Sequence, residues 1–198
     1  MKRASSHVIA LGLVAAFGFA AGSLRAAETT SRGVQYGSPP QNVALAASGA
    51  VASASSTGFG DTGPSSASKL IDDTRSGIDC YWTDDTIDET PDVVQVNFFG
   101  NKTIDRVVVY SVQEEGNNFG GVDPTDTDDC LVYGISDFTV EGWNGDHWVT
   151  LGTVADNDLC KRTVTFAPFS TDQIRISVTA TGGWSLTRIA EVEAWQAQ

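Results

Sequence analysis

Apolar and polar residues alternate within two runs of the second half of the chain, residues 137–143 and 148–154, at Phe138 and Val140 in the first and at Val149 and Leu151 in the second. Residues at every second position of a strand share one face, so each run predicts a strand with one buried face. Asn144 and Gly145 stand between the runs, and this pair favours a tight hairpin turn. The pattern therefore predicts an antiparallel hairpin in which the two tryptophans that flank the turn face each other.

The remaining chain shows further short strands and very little helix. Residues 65–72 have the pattern of one or two helical turns, and Asn101 and Lys102 have the composition of a turn between two strands. Short strands with regularly spaced turns indicate an all-β fold, an antiparallel β-sandwich or jelly roll. The predicted strands outside the hairpin are residues 43–45, 51–55, 93–99, 104–112, 163–166, 174–179 and 189–195.

One long polar segment, residues 113–132, interrupts this strand pattern. It is rich in glycine and aspartate and shows no apolar period. A loop of this length inside a compact domain is usually either functional or disordered. The segment is therefore a candidate for a functional loop.

The N-terminus has the composition of a secretory signal peptide. Lys2 and Arg3 precede an apolar run at residues 8–21, and small residues follow up to Ala26. The run is shorter than a membrane-spanning helix requires. We therefore predict a signal peptide at residues 1–26 and a protein secreted to the extracellular space or the periplasm. Cleavage is expected near Ala26 or Ala27, and a site after Ser23 is the alternative.

The chain that would remain after export is strongly acidic. Of the 12 Lys and Arg residues, three belong to the predicted signal peptide, which leaves 9 against 25 Asp and Glu. Such a balance argues against binding to nucleic acid or, by charge alone, to anionic lipid. Solubility outside the cell or calcium binding would account for it. The expected organisation is a flexible lead-in at residues 27–41 and a single domain at residues 42–197.

Three cysteines are compatible with one disulfide in an exported protein. Cys130 and Cys160 lie equally far from Gly145, so they would meet if the pairing of the hairpin extended outward. The favoured pairing is therefore Cys130–Cys160. The alternative is Cys80–Cys130, which would join two loops.

Short motifs follow one another in a characteristic order along residues 42–195. They are Asn-Val-Ala-Leu at 42–45, Ala-Ser-Lys-Leu-Ile-Asp at 67–72, Trp82, Val-Gln-Val-Asn-Phe at 94–98, Thr-Ile-Asp-Arg-Val-Val-Val at 103–109, Asp-Phe-Thr-Val at 137–140, Ile-Arg-Ile at 174–176 and Arg-Ile-Ala-Glu-Val-Glu-Ala-Trp at 188–195. In this order they resemble the discoidin domain, or coagulation factor 5/8 type C domain, of the galactose-binding-like superfamily. The long polar segment, residues 113–132, is similar to an insertion found in bacterial secreted members of this family. The resemblance implies an eight-stranded antiparallel jelly roll that binds glycans, and sometimes proteins or lipid head groups, through loops at one end.

The resemblance also implies a structural calcium site beside the ligand-binding loops. Family members take its ligands from the segment after the short helix and from an acidic residue in the last strand. Ca²⁺ binds six to eight oxygen atoms, many of them carbonyl oxygens. Asp73 stands where the family usually has glycine. The matching positions are Asp72, Asp73, Thr74, Asp79 and Glu191.

A ligand is expected at three loops that the resemblance places at one end, residues 56–64, 73–80 and 113–133, with the loop 179–186 close by. An aromatic face stacks on the C–H face of a sugar, while Arg and Asn donate hydrogen bonds to hydroxyl groups. Phe119 and Trp184 are the strongest candidates because each lies beside glycines in a polar loop. Tyr133 is a further loop aromatic, and Tyr81 is expected in the core. The candidate set is Phe59, Arg75, Asn117, Asn118, Phe119, Trp184 and Arg188.

A galactose site and an enzyme active site are both disfavoured by the residues present. In galactose-binding members a histidine and an arginine hold the sugar, but these loops lack histidine, and Gln113 or Glu114 occupies the arginine position. His147 lies in the hairpin turn, which disfavours a histidine-based triad, and no motif selects a carboxylate pair for glycoside hydrolysis. We therefore expect non-catalytic binding of a glycan or polysaccharide. The alternative is an adhesion or structural protein that binds a cell-surface protein through the acidic loop 113–133.

Overall fold

In the described part of the chain, seven β-strands make up most of the domain, and the helices are two short 3-10 turns. The computed structural model describes residues 38–60, 63–113 and 121–198. The predicted signal peptide, most of the lead-in and the candidates Asn117, Asn118 and Phe119 lie outside these residues. The 3-10 helices are Ala46–Ser48 and Ala67–Ile71. The strands are β1 (Val51–Ala54), β2 (Trp82–Thr83), β3 (Asp92–Ser111), β4 (Ile135–Trp143), β5 (Trp148–Val154), β6 (Lys161–Thr181) and β7 (Arg188–Gln196).

The predicted hairpin is present as β4 and β5. Trp143 pairs with Trp148, and their indole rings meet edge to face with centroids 5.4 Å apart. Asn144 closes the turn, because its side-chain oxygen accepts hydrogen bonds from the backbone N–H groups of Asp146 and His147. Asn is favoured in turns for this reason. His147 is therefore an exposed turn residue, as the sequence predicts.

The two longest strands, β3 and β6, each replace two predicted strands. The turn predicted at Asn101 and Lys102 is wrong, because both residues lie inside β3, whose pairing with β6 shifts register between Asn97 and Lys102. Gly100 has a φ of 74° within this shift, a conformation that glycine adopts without steric cost. The strand therefore bends at an irregularity instead of reversing in a turn. The predicted strands 163–166 and 174–179 likewise merge in β6.

The long strands β3 and β6 contribute to both layers of an antiparallel β-sandwich. The first part of β3 pairs with β1 and the end of β6, and its second part pairs with the start of β6 and with β7. β4 and β5 extend the first layer, and β2 extends the second. Val94 and Val96 from one layer share a buried apolar cluster with Val107 and Val109 from the other. The predicted all-β sandwich is confirmed, with seven described strands where about eight were expected.

The strand predicted at residues 43–45 is absent. Val43 donates a backbone hydrogen bond to Ala194, and the Asn42 side chain accepts from the N–H groups of Ala44 and Ala194. The chain then turns into the helix Ala46–Ser48, so a ladder cannot continue. The helical turns predicted at residues 65–72 correspond to the 3-10 helix Ala67–Ile71. No helix of the described residues has both the length and the apolar character needed to cross a membrane.

Three loops meet at one end of the sandwich. They are the segments that follow the helix Ala67–Ile71, strand β3 and strand β6. Ser76 donates its hydroxyl to Asp123 at 2.9 Å, which joins the first loop to the second. The N–H group of Gly183 donates to Leu131 at 2.8 Å, which joins the second loop to the third. Side chains from three separate parts of the sequence are thereby collected at this end.

Candidate functional site

An arginine surrounded by aromatic rings lies at the loop end of the sandwich. The guanidinium carbon of Arg188 is 4.7 Å from the ring centroid of Tyr133, 5.2 Å from that of Tyr81 and 5.4 Å from that of Trp184. Tyr133 and Trp184 also contact each other edge to face, with centroids 5.7 Å apart. These four residues are the Trp184 cluster. Cation–π contacts of this kind hold the arginine and the rings in place.

The members of the Trp184 cluster differ in their exposure to solvent. Tyr81 is buried, as predicted, and Tyr133 is half-buried, whereas Trp184 is 44% exposed. The Nε of Arg188 is buried and lacks a hydrogen-bond partner among the described residues. A half-exposed indole beside an arginine provides an apolar surface with hydrogen-bond donors close to it. This combination suits a ligand that has both apolar faces and hydroxyl groups.

Two glycines let the segment that carries Trp184 lie against the neighbouring loop. The N–H of Gly182 donates to Gly134 at 2.9 Å, and the N–H of Gly183 donates to Leu131 at 2.8 Å. A Cβ atom at Gly182 would collide with the carbonyl oxygen of Leu131. A Cβ atom at Gly183 would come no closer than 3.4 Å to a neighbouring atom, the Cα of Val132, which is an ordinary contact distance. The close approach of the two loops therefore requires glycine at 182 but not at 183.

Gly182→Ala should lower the free energy of unfolding by about 1–3 kcal/mol, because the new methyl group forces the two loops apart. Gly183→Ala is the matched control and should cost less than about 1 kcal/mol. Chemical denaturation of both variants measures the difference. Equal losses would show that the approach of residue 182 to Leu131 is not what makes glycine necessary.

Buried carboxylates fix the residue that precedes Arg188. Thr187 donates its N–H to Asp84 and its hydroxyl to Asp92, both at 2.6 Å. Burial raises the pKa of Asp92, and the hydrogen bond from Thr187 opposes that shift. Asp84 is 0% exposed and Asp92 4%, so neither carboxylate is open to a substrate. This acidic pair therefore anchors the start of β7 and does not provide a hydrolytic site.

A disulfide joins Cys130 to Cys160 and tethers the loop that carries Tyr133. This is the pairing that the sequence favoured. The N–H of Cys130 donates to Asp158, so the pairing of the two chain segments extends beyond β4 and β5 as expected. Cys80 retains a buried thiol, and burial raises its pKa to about 11. A thiol with so high a pKa is a poor nucleophile at neutral pH.

Two predicted ligand-binding residues, Arg75 and Phe59, lie outside the Trp184 cluster. Arg75 donates from its Nε to the Glu193 carboxylate at 2.7 Å, pairs with Asp73 at 2.7 Å and stacks on Tyr110. Phe59 is 75% exposed on the loop between β1 and the helix Ala67–Ile71. Of the described candidates, the structure thus brings together Trp184 and Arg188.

Tyr133 joins these two residues, although the sequence marks it only as one of several loop aromatics. It lies three positions after Cys130. The disulfide holds this part of the loop, and the N–H of Gly183 bonds to the neighbouring Leu131. The favoured disulfide was therefore the sequence signal that could have singled out Tyr133.

The residues predicted to hold calcium include a buried carboxylate that lacks partners. Glu191 is fully buried, and neither of its carboxylate oxygens has a hydrogen-bond partner within the described ranges. Burial raises the pKa of Glu191 to about 9, and the nearby Asp72 carboxylate acts in the same direction. The charge of Arg75 and the backbone N–H of Asp73 oppose this shift of the pKa. Burying a carboxylate without compensating hydrogen bonds lowers the stability of the fold. A cation beside Glu191 would relieve the cost, so the residue fits the implied metal.

The loop beside Glu191 is rich in oxygen atoms but poor in available side-chain ligands. Asp73 has a φ of 66°, a left-handed conformation that glycine adopts without cost and that aspartate tolerates. Its carboxylate pairs with Arg75, and the Asp72 carboxylate accepts from the N–H of Thr74 at 3.1 Å. Asp79 also has a positive φ, of 53°. Because the described residues contain no group of three or more His, Cys, Asp or Glu that could hold a metal, backbone carbonyls would have to supply the remaining ligands.

Solved structures of carbohydrate-binding modules have the same fold. A family 32 module from Clostridium perfringens NanJ, solved with galactose, has a TM-score of 0.55 at 19% identity and covers 79% of this chain and 99% of its own. A second C. perfringens module, CpGH89CBM32-5, solved with GalNAc-β-1,3-galactose, has a TM-score of 0.59 at 14% identity, with coverages of 78% and 99%. Chitosan-binding module 1 from a chitosanase/glucanase of Paenibacillus sp. IK-5 has a TM-score of 0.57 at 22% identity, with coverages of 78% and 98%.

At these identities the likeness establishes the fold. The chain has the discoidin, or galactose-binding-like, fold of family 32 carbohydrate-binding modules. No protein-family model matches the sequence, and no curated protein matches it.

Proposed function

We propose that this protein is a secreted, non-catalytic carbohydrate-binding module whose ligand site is the Trp184 cluster. The observation that carries the proposal is an indole 44% exposed at the loop end, in edge contact with Tyr133 and backed by Arg188. The fold supports the class of ligand, because modules of this fold were solved with galactose or with a GalNAc-containing disaccharide, and another is described as chitosan-binding.

The cluster would bind a sugar by stacking and by hydrogen bonds from its edge. The apolar C–H face of the ring would pack on Trp184, and a hydroxyl group would accept from the guanidinium of Arg188 or bond to the phenol of Tyr133. The rings and the arginine already hold one another, so little side-chain freedom is lost when the ligand arrives. The site thus favours a sugar over a flexible apolar peptide.

A protein partner bound through the acidic loop is the competing function, and the described part of that loop disfavours it. Three of its four aspartate carboxylates have partners within the domain. Asp123 accepts from Ser76, Asp126 pairs with Lys161 at 2.9 Å, and Asp128 accepts from the N–H of Thr125. A protein partner would have to displace or share these contacts, which reduces what it gains from the carboxylates. Trp184, by contrast, keeps 44% of its surface exposed although Tyr133 and Arg188 contact it, which supports the glycan.

Calcium and export belong to the same proposal. The buried Glu191, with two carboxylate oxygens lacking hydrogen-bond donors among the described residues, supports a calcium ion between β7 and the loop that contains Asp72 and Asp73. Such an ion would stiffen a loop that also carries Arg75 and Ser76.

The disulfide supports an oxidising compartment, which agrees with a signal peptide at the N-terminus.

A glycan-array screen followed by titration calorimetry on the best ligand tests the function. Trp184→Ala should weaken binding by at least about tenfold, because the stacking surface is lost. Phe99→Ala is the matched control, since Phe99 is 74% exposed on β3 and lies outside the loop end. A folded wild-type protein that binds no glycan on the array, with calcium present, would refute the proposal. Equal binding by both variants would move the site elsewhere.

A further inference from the structure

A second cleft lies on the outer face of the sandwich and shares no lining residue with the Trp184 cluster. Residues of β3, β6 and β7 form its floor, the loops that contain Arg75 and Asp123 form its rim, and its volume is about 430 Å³. Trp195 marks the end of the cleft that lies farthest from the loops. It is seven positions after Arg188 on β7, which corresponds to a separation of roughly 20 Å along the strand.

Cationic side chains concentrate in this cleft of an otherwise acidic protein. Three of the eight Lys and Arg of the described residues line it, namely Arg75, Arg106 and Lys161. Two carboxylates, Asp123 and Glu193, line it as well, and both pair with Arg75. Lys161 pairs with Asp126. Arg106 has no ion pair within the part of the chain that the structure describes, and its Nε is buried without a hydrogen-bond partner. The cleft therefore contains one cation that the domain does not neutralise.

Arg106 is held in position by its neighbours on β7. Its guanidinium carbon lies 5.1 Å from the ring centroid of Trp195, and the indole N–H of Trp195 donates to Glu193 at 2.9 Å. The other carboxylate oxygen of Glu193 is taken by Arg75, so Glu193 is not available to Arg106. A guanidinium stacked on a fixed ring has lost much of its freedom before a ligand arrives. Its planar array of donors matches the two oxygens of a carboxylate.

We propose that this cleft is a second saccharide site, which binds a sugar residue that carries a carboxylate, a uronic acid, with that carboxylate on Arg106. Thr163 pairs with Val108 across the floor and places a hydroxyl group among the lining residues, where it can bond to a sugar hydroxyl. The volume is that of a small-ligand site. Because the protein is acidic overall, a carboxylated ligand is repelled from most of the surface and retained at this cation.

Titration calorimetry with tri-galacturonate tests the proposal. The trisaccharide should bind the wild-type protein, and its methyl ester, which keeps the shape but lacks the charge, should bind at least about tenfold more weakly. Arg106→Gln should weaken binding of the acid by roughly 10- to 100-fold. Arg106→Lys keeps the charge but not the planar donors, so its affinity for the acid should lie between that of the wild type and that of Arg106→Gln.

Controls separate this site from simple charge effects and from the loop end. Lys102→Gln removes one positive charge from the same strand outside the cleft and should leave the affinity for tri-galacturonate unchanged. Trp184→Ala, which should weaken binding at the loop end, should also leave the affinity for tri-galacturonate unchanged, so the two proposals can fail independently. Equal affinity for acid and ester, or full affinity in a folded Arg106→Gln protein, would overturn the assignment. So would loss of binding in Trp184→Ala.

Discussion

Replacing Cys130 and Cys160 together by alanine should lower the free energy of unfolding by about 3–4 kcal/mol. The disulfide spans 30 positions of the chain, and a cross-link of that span restricts the unfolded ensemble by about this amount in the loop-entropy model. Guanidinium denaturation without reducing agent measures the loss. Glycan binding should weaken as well, because the bond tethers the loop that places Tyr133 beside Arg188.

Cys80→Ala is the matched control for this prediction. It removes a buried thiol that takes no part in the disulfide and should cost about 1 kcal/mol. Reducing agent should bring the wild-type protein to the stability of the double variant and leave that variant unaffected. A double variant within about 1 kcal/mol of the wild type would show that the disulfide does not support the fold.

The sequence predicts those parts of the fold whose hydrogen bonds and side-chain patterns lie within a few residues of one another. The β4–β5 hairpin follows from the alternation of apolar residues and from an Asn-Gly turn whose hydrogen bonds are made within four residues. The bends in β3 and β6 do not follow from such signals. Residues 97–102 carry the Gly-Asn composition of a turn, and the pairing with β6 decides that they continue as a strand. The strand predicted at 43–45 failed for the related reason that Asn42 redirects the backbone there.

The sequence predicts which types of residue form the candidate site, but not which of the candidates lie next to one another. The sequence selects Trp184 and Arg188 by their chemistry and by the family resemblance, and the structure places them together. Arg75 was chosen on the same grounds, yet Glu193 and Asp73 take up its guanidinium. Those partners are distant in sequence or belong to a loop of unusual conformation. Pairing of this kind is decided by tertiary structure, so charge and spacing along the chain could not separate the two arginines.

Which side chains of β7 face the core and which face outward explains why the calcium candidate Glu191 and the second cleft lie on the same face of this strand. Ile189, Val192 and Ala194 face the core, while Glu191, Glu193 and Trp195 pair with Tyr110, Val108 and Arg106 of β3 on the other side. A register shift between Tyr110 and Ser111 produces this arrangement at the start of the strand. Strict alternation of faces from Arg188 onward would not predict this arrangement. The assignment of Glu191 to the metal comes from the family resemblance instead.

In the presence of a calcium chelator, the free energy of unfolding should fall as the pH rises from about 4.5 towards 9, with a slope of up to about 1.4 kcal/mol per pH unit. Burial raises the pKa of Glu191 from 4.5 to about 9. Over this range the unfolded chain releases the proton, while the folded protein retains it. The folded state therefore binds more protons and loses stability as the pH increases. Denaturation curves at several pH values measure the slope.

Glu191→Gln should remove most of that slope and leave the smaller contribution of Asp92, whose pKa is shifted in the same direction. Asp172→Asn, an exposed substitution at the other end of the sandwich, should leave the slope unchanged. Added calcium should raise the unfolding temperature of the wild-type protein near pH 8, because the ion binds the deprotonated carboxylate and offsets the cost of burying it. The Glu191→Gln variant should gain little. An equal gain in both proteins would place calcium elsewhere, and a flat pH profile in chelator would show that Glu191 is already compensated within the fold.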